Sequence, residues 1–269
     1  MIGLVGIEKK GRERLIGLLR KAGPTISVRE ASAILGLPLT QTAKFMARWA
    51  NQGWLVRVRR GLYAPVPLQA RRPEDVVADP WIVAARVFAP GYIGGWSAAE
   101  NWGLTEQIFR TVVVMTTQPW GPRKQKIQDT EFWLRKIPEW QLFGTRAVWR
   151  EGVQIHLSDP AKTVIDMLDD PAVGGGARTV EDILKAYLGS QEKDLDRLFD
   201  YVGRMKNGAV NKRLGYLLER SGTVEEKILS KVRARLTQGN AKLDPALPAS
   251  RLVTRWRLWV PENGGTSPA

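Results

Sequence analysis

The sequence predicts an α+β fold in two parts: a small amino-terminal module and a larger mixed domain of helices around a small antiparallel sheet. Two observations lead to this class. Three short helical patterns precede a strand, a tight turn and a second strand within residues 1–67. After a proline-bounded connector, strand-like and helical segments occupy separate stretches of the chain, which is typical of α+β proteins. A chain of 269 residues is long enough for two such domains.

Apolar spacing and a capping signal predict the first two helices. The first helix has the i, i+3, i+4, i+7 spacing of a one-faced helix and ends at Gly23 and Pro24; its apolar residues are Leu15, Leu18, Leu19 and Ala22. Ser27 and Glu30 have the spacing of a capping box, in which each side chain satisfies a backbone N–H at the start of the second helix. Gly36 and Pro38 then break this helix.

A third helix, from about Leu39 to Gln52, is predicted to have two different faces. The apolar face, expected to pack on the first two helices, consists of Ala43, Met46, Trp49 and Ala50. The opposite face consists of Gln41, Lys44, Phe45, Arg48 and Gln52. Glutamine can pair with adenine, and lysine or arginine with guanine or phosphate. The alternative interpretation is an ordinary solvated helix face.

The segment from Trp54 to Tyr63 alternates as a hairpin whose turn contains Gly61. Its apolar residues, expected to face the helices, are Leu55, Val58 and Leu62. Three helices followed by such a hairpin predict a winged helix-turn-helix over residues 1–67. The predicted DNA contacts are Ser27, Thr40, Gln41, Lys44, Phe45, Arg48, Arg57, Arg59 and Arg60. Alternatively, the hairpin charges only keep an exposed edge soluble.

Charge is concentrated in the amino-terminal part of the chain. The first 72 residues hold 14 Lys and Arg against three acids, an excess of +11 within the +14 of the whole chain. A cationic module of this kind is typical of polyanion binding, because phosphate contacts release condensed counterions. Double-stranded DNA is therefore the predicted partner.

A linker is predicted at residues 68–79, and the second domain at 80–261, followed by a disordered tail at 262–269. Residues 80–103 and 159–238 have helical patterns, and three strand-like runs lie between them. Residues 252–260 alternate like a strand that closes the small sheet. Nine of the eleven tryptophans lie in this domain, where core packing is favoured over stacking on RNA bases. The domain is expected to fold alone.

Several function classes are excluded or disfavoured. The chain has no cysteine, so disulfides, zinc fingers and thiol catalysis are absent, and its single histidine cannot build a histidine metal site. The apolar run Met1 to Ile7 is too short for a signal peptide, and no run approaches the roughly 18 apolar residues of a membrane span. The expected protein is soluble and cytoplasmic, without a cofactor or metal.

The sequence signals for a phosphate, metal or catalytic site are weak. Gly174 to Gly176 lack the phosphate-loop pattern and favour a turn between helices. Asp166, Asp169 and Asp170 could hold a divalent cation, but a solvated helix end is favoured. His156 has no evident catalytic partner. The sequence therefore predicts a protein that is not an enzyme.

A second basic surface is predicted within Arg204 to Arg235, which carries nine bases and three acids. Its members are Lys212, Arg213, Lys227, Lys231 and Arg235. The last three repeat every four residues, which places them on one helix face. This surface is interpreted as a solvated face, a second nucleic-acid surface or a partner-binding surface.

Five segments together resemble the AbiEi family of bacterial antitoxin regulators, from type IV (abortive infection) toxin–antitoxin systems. They are the basic hairpin ending at Tyr63, Gly91 to Gln107, Leu157 to Asp166, Lys212 to Glu219, and the strand around Trp256 to Trp259. The family's closing strand commonly runs into an asparagine, whereas Val260 and Pro261 follow here.

The resemblance implies a repressor of its own operon that binds inverted repeats at the promoter. It further implies a carboxy-terminal domain that counteracts a nucleotidyltransferase-like toxin, in antiviral defence. Because no heptad seam is present, the expected state is a monomer in solution that pairs on DNA. Two other hypotheses remain open: a one-component transcription factor whose second domain senses a small molecule, and an enzyme acting on nucleic acid or nucleotides.

Overall fold

The computed structural model describes residues 8–67, 69–70 and 72–261. The apolar start at residues 1–7 and the tail expected to be disordered at 262–269 lie outside these residues. Within the described part of the chain, no helix has the length and apolar character needed to cross a membrane. The fold is a mixed α+β architecture.

The amino-terminal part contains three helices and a small sheet. The helices are α1 (Lys9–Leu19), α2 (Val28–Leu35) and α3 (Leu39–Asn51). Strands β1 (Ile26–Ser27), β2 (Leu55–Arg59) and β3 (Leu62–Pro65) form an antiparallel sheet in the order β1-β3-β2. The three helices and the hairpin lie where the sequence places them, whereas the two-residue β1 was not predicted. Its pairing with β3 ties the start of α2 to the hairpin.

The larger sheet differs from the expected small antiparallel one, which is therefore a wrong prediction. Six strands lie in the order β6-β7-β5-β4-β9-β8, and the pairs β5·β7 and β4·β9 are parallel. The strands are β4 (Gly91–Ile93), β5 (Thr111–Thr116), β6 (Lys124–Ile127), β7 (Thr130–Lys136), β8 (Thr145–Arg150) and β9 (Val153–Ser158). The sequence pattern missed β4, β6 and β8, which are short or polar. The predicted break at Pro90 and Gly91 thus leads into a strand.

Helices pack mainly around one buried segment. They are α4 (Pro80–Val87), α5 (Gly95–Asn101), α6 (Pro160–Asp169), α7 (Ala177–Gly189), α8 (Leu195–Met205), α9 (Gly208–Ser221) and α10 (Glu226–Ala234). Helix α6 packs against α5, α7, α8 and α9, and nearly all of its residues are buried. Pro160 at its first turn and the Asp159 carboxylate, which accepts from the Lys162 N–H at 2.8 Å, fix its start.

The predicted closing strand does not join the large sheet. Strands β11 (Arg251–Val253) and β12 (Leu258–Val260) are separated by one turn of 3₁₀ helix. They pair antiparallel, and β12 pairs in parallel with β10 (Ala241–Lys242), which makes a separate three-stranded sheet against α9. The prediction of one continuous strand is wrong at its middle, because Thr254–Trp256 form the 3₁₀ turn and Arg257 has a positive φ of 51°.

The two parts of the chain share a hydrophobic core. Val58 and Leu62 of the hairpin are buried in one cluster with Ile82 and Phe88 and with the large sheet. The predicted linker therefore lies between two parts of the chain that are packed together. The proposed domain limits, 1–67 and 80–261, describe the order of the chain, and the packing crosses them.

The tryptophans of the larger domain divide between core and surface. Trp256 is fully buried and Trp96 nearly so, whereas Trp140 is 48% and Trp149 69% exposed. The expectation of core packing is therefore wrong for these two side chains. Trp149 lies on β8, and Thr145 and Ala147 on the same face of this strand are exposed as well, so no described element covers that face.

Candidate nucleic-acid interface

Helix α3 presents one polar face to solvent. Thr40, Gln41, Lys44 and Arg48 are exposed, while Met46 and Trp49 on the opposite face are buried against α1 and the hairpin. The hydroxyl of Thr42 donates to the carbonyl of Pro38 at 3.0 Å and secures the first turn. Four of the predicted contact residues are thus brought together on one accessible surface.

Phe45 departs from that face. Its ring stacks on Trp49 at 5.7 Å between centroids, and the guanidinium of Arg14 lies 5.1 Å above it. Phe45 is half-buried by these contacts. Its part in the structure is to hold α1 against α3, and its ring is not free to stack on a base.

Ser27 is occupied by the capping box that the sequence predicts. Its hydroxyl donates to the Glu30 carboxylate at 2.9 Å, and the Glu30 N–H donates to that hydroxyl at 3.1 Å. The Ser27 N–H donates to the same carboxylate at 2.8 Å. Although burial raises the pKa of Glu30, these bonds and the ion pair with Arg86 outweigh it and hold that pKa below its usual value. Any contact of Ser27 with phosphate would therefore compete with the cap.

The wing, strands β2 and β3 with their turn, carries three arginines in three different settings. The turn depends on Gly61, whose φ of +82° favours a residue without a side chain. Arg57 donates to the Tyr63 hydroxyl at 3.1 Å, and the guanidinium of Arg59 lies 4.8 Å above the ring of Trp120. Arg60 is exposed and makes no ion pair or side-chain hydrogen bond with any described residue. It is therefore the wing cation that is most available to a phosphate.

Two members of the predicted second basic surface are not on the surface. Lys212 and Arg213 on α9 are 4% and 5% exposed. The ammonium group of Lys212 donates to the Thr237 hydroxyl at 3.1 Å. The Arg213 guanidinium donates to the carbonyls of Lys242 at 2.8 Å and Leu168 at 2.7 Å. Burial lowers the pKa of both side chains. Their assignment to a surface is wrong, because α9 is central to the helical layer.

The other three members remain exposed: Lys227 and Lys231 on α10, and Arg235 directly after its last residue. Lys231 and Arg235 line a groove of about 810 Å³ between α8 and α10, and Lys227 lies one turn earlier on the same face. The sequence analysis did not assign Arg204 and Lys206 to this surface, yet both line the groove. The acids on the α8 side are Asp196 and Asp200. The groove is thus mixed in charge, with a basic excess.

The aspartates considered as cation ligands have protein partners instead. Asp166 is buried and forms an ion pair with Lys162, itself fully buried, and accepts from the Tyr92 hydroxyl at 2.9 Å. Asp169 pairs with Arg135 and also accepts from the Asn207 amide at 2.6 Å. In the described residues, no group of His, Asp and Glu side chains is arranged to hold a metal ion.

This buried pair escaped the sequence analysis. Burial raises the pKa of Asp166 although Lys162 and Tyr92 oppose it. Burial also raises the pKa of Tyr92 well above its usual value. The available signal was the i, i+4 spacing of a lysine and an aspartate within an otherwise apolar helix. Such a pair must satisfy its charges internally, and here the Tyr92 hydroxyl of β4 bonds to both members.

Gly174 to Gly176 have structural roles in the backbone, since Gly175 and Gly176 have φ values of +81° and +99°, which favour glycine. The glycines connect α6 to α7, and a Cβ at Gly174 would lie 2.6 Å from the Val180 side chain, so close packing accounts for this glycine. His156 on β9 is exposed, and its ring makes no hydrogen bond with a described residue. It lines a cleft beside β4 together with Thr145, to which it makes no hydrogen bond.

Comparisons with known proteins found a family match for the amino-terminal part and a solved structure that aligns with nearly the whole chain. Residues 13–66 match the family model described as "Transcriptional regulator, AbiEi antitoxin", which confirms the resemblance for that part of the chain. No curated protein sequence matches. The crystal structure of the RV2827C protein from Mycobacterium tuberculosis aligns with a TM-score of 0.62 and 16% identity, over 96% of this chain and 94% of that one. At this identity the likeness establishes a shared fold.

Proposed function

We propose that this protein is a DNA-binding transcriptional repressor and the antitoxin of a type IV toxin–antitoxin system. In this proposal residues 1–67 form a winged helix-turn-helix that represses the protein's own operon. Residues 80–261 counteract a nucleotidyltransferase-like toxin in abortive infection, an antiviral defence. The supporting observation is the exposed polar face of α3, within a segment that matches a family of regulators and antitoxins.

The chemistry of α3 suits a helix in the major groove. Gln41 supplies an amide that can pair with adenine, and Lys44 and Arg48 supply donors for guanine or phosphate. Arg60 at the wing supplies a cation without a protein partner among the described residues. Together they provide base contacts that recognise sequence and phosphate contacts that position the protein, as expected at a protein–DNA interface.

Binding to inverted repeats follows from the size of this surface. One α3 covers a single half-site, so selective repression needs two copies of the chain on one operator. We propose a monomer in solution that pairs on DNA. Light scattering of the free protein and of the protein with its operator tests this directly, and a stable dimer without DNA would contradict it.

Salt-dependent binding to the protein's own promoter tests the DNA contacts. Arg60→Ala should weaken binding to every duplex and reduce the slope of log K against log salt by about 0.9, because one phosphate contact is lost. Gln41→Ala should relax sequence preference, by roughly 1–3 kcal/mol on the best site. Arg178→Ala is a matched control, since Arg178 is an exposed cation on α7. Unchanged binding by both α3 and wing variants would reject the proposed interface.

For the antitoxin role we propose the basic side of the α8–α10 groove as the working surface. Lys231 and Arg235 line it and have no ion-pair partner among the described residues. A partner that bears acidic groups would be attracted there, whether or not it forms a lasting complex. The fold offers no recognisable catalytic set in its described residues, so we propose a non-enzymatic, cytoplasmic protein.

A growth-rescue assay with the toxin tests this surface. Lys231→Glu with Arg235→Glu should lose protection while promoter binding stays intact. The double variant Arg178→Glu with Lys193→Glu makes the same charge change at exposed positions away from the groove lining and should protect fully. Full protection by the groove variant would mean that these charges are an ordinary solvated surface and do not contribute to protection.

The alternative hypothesis, a second domain that senses a small molecule, has one supporting observation. A cleft of about 400 Å³ lies between α4 and the large sheet. A ligand in this cleft would concern how DNA binding is regulated. The residues proposed to contact DNA are the same under both hypotheses.

A further inference from the structure

The large sheet is split between two neighbouring strands. β4 and β9 run parallel, but their pairing consists of the single residue pair Ile93 and Leu157. A cleft of about 400 Å³ lies on the amino-terminal side of that pair and is lined by Gly91 and Tyr92 of β4 and by Gln154 to His156 of β9. Ala84 and Ala85 of α4 form another wall. The small side chains of α4 leave room that a larger residue would fill.

The lining has the composition of a small-molecule site. Its walls are mainly apolar. Besides Tyr92, whose hydroxyl is bonded to Asp166 and Lys162, its polar side chains are Thr145, Gln154 and His156. None of these three makes a side-chain hydrogen bond with another described residue. The cavity volume lies near the lower end of the range for sites that bind small organic molecules, which are apolar with a few oriented polar groups.

Charge narrows the class of ligand. Among the described residues, no Lys, Arg, Asp or Glu lines the cleft, so a ligand with several charges, such as a polyphosphate or a polyamine, finds no matching charges there. The hydroxyl of Thr145, the amide of Gln154 and a ring N–H of His156 can all donate hydrogen bonds. A carboxylate, which only accepts hydrogen bonds, fits such a set of donors.

We propose that this cleft binds a small organic monocarboxylate with an aromatic or branched aliphatic body. The apolar body lies in the gap between β4 and β9, against Ala84 and Ala85. The carboxylate faces Gln154 and His156, whose side chains are on the face of β9 opposite to Ile155. This site goes beyond the proposed repressor and antitoxin roles, neither of which uses these residues. It gives the second domain a specific ligand class.

Helix α4 connects the cleft to the amino-terminal module. Ala85 lines the cleft, and the next residue, Arg86, forms an ion pair with Glu30, which caps α2. Ile82 on the same helix is buried in one cluster with Val58 and Leu62 of the wing. A ligand that binds better to one position of α4 will shift the position of the wing and change DNA affinity. This consequence, unlike the site itself, rests on the proposed function.

The single histidine of the chain makes the test direct. In NMR spectra of the full chain, the Hε1 resonance of His156 should shift in a saturable way on addition of benzoate or 3-methylbutanoate. Benzamide and 3-methylbutanamide, matched in shape but neutral, should give no saturable shift. Equal responses to acids and amides would overturn the carboxylate assignment, and no response to any probe would overturn the site.

Substitutions separate this cleft from surface binding. Ala85→Phe fills the cleft and should abolish the response, whereas Ala234→Phe, at an exposed position on α10, should preserve it. If Ala85→Phe fails to fold, Gln154→Ala at an exposed position serves instead and should weaken binding at least tenfold. Retention of full binding by the folded cleft variant would place the probe elsewhere and refute the proposal.

Coupling to DNA is measured separately. Saturating benzoate should change the promoter affinity of the parent chain at least about fivefold, and Arg86→Ala should reduce that change. A probe that binds by NMR without altering promoter affinity would reject the coupling and leave the cleft assignment standing. A chain that binds benzoate but no DNA would reject the proposed function alone.

Discussion

Two basic regions of this chain look alike in sequence and have opposite settings in the structure. On α3 and the wing, Lys44, Arg48 and Arg60 are exposed. On α9, Lys212 and Arg213 are buried and donate to hydroxyl and carbonyl oxygens of the segments that follow or precede them. The first set is available to a polyanion, and the second holds the helical domain together.

The comparison shows that a run of basic residues in the sequence does not predict whether their side chains are exposed or buried. A helix at the edge of a module keeps its cations in water, where they cost little. A helix surrounded by others must bury whatever lies on its faces, so a cation there survives only with several acceptors. The number of neighbouring elements, which is a tertiary property, decides between the two.

The largest expected effect comes from the buried set. Arg213→Met should destabilise the protein by about 4 kcal/mol, because the carbonyls of Lys242 and Leu168 lose a charged donor inside the core. Urea unfolding measures this, with Arg178→Met, at an exposed position, expected to stay within about 0.5 kcal/mol. Equal stability of the two variants would remove the distinction between the basic regions.

A slightly smaller effect should reveal the core that joins the two parts. Leu62→Ala on β3 should cost about 3 kcal/mol and should also lower hydrogen-exchange protection in α4, since Leu62 and Ile82 lie in one cluster. Ile16→Ala on α1, where the side chain is 43% exposed, is the control. If protection in α4 is unchanged, the wing and the second domain are energetically independent.

A third effect, about 1 kcal/mol, belongs to the cap of α2. Ser27→Ala should cost this amount. Because the pKa of Glu30 is held below its usual value of 4.5, the folded state binds fewer protons there than the unfolded state. The contribution is therefore complete above about pH 4.5 and is lost as the pH falls through the lowered pKa. Melting temperatures across this range should depend less on pH in Glu30→Gln; an unchanged acid dependence would contradict the assignment.

The smallest effect is expected at the exposed set. Lys231→Glu with Arg235→Glu should change the free energy of unfolding by no more than about 0.5 kcal/mol, because both side chains are exposed and have no described ion-pair partner. Thermal melts beside Arg213→Met give the comparison. A loss above about 1 kcal/mol would mean that these cations also stabilise the fold.

Much of the amino-terminal module was predictable because its signals are local. The capping box of Ser27 and Glu30, the one-faced spacing of Leu15 and Leu18, and Gly61 in the hairpin turn depend on residues a few positions apart. The exposed face of α3 followed from helical periodicity alone. The match of residues 13–66 to a family of regulators agrees with this part of the analysis.

The second domain was less predictable because its decisive contacts are distant in sequence. The short strand β4 gains its place in the sheet from distant partners, since Ile93 pairs with Leu157, 64 residues further along the chain. Trp149 is exposed because no described element covers its face of β8, and the tertiary structure decides which faces are covered.

The sequence by itself determined the class of the fold, the helices and hairpin of the first 67 residues, and the concentration of positive charge there. The tertiary structure alone decided which cations are free, since Lys212 and Lys231 differ only in what surrounds their helices. It also decided that the wing and α4 share a core and that the sheet splits beside His156. The physical reason is that periodicity fixes which residues share a face, whereas burial depends on which element covers that face.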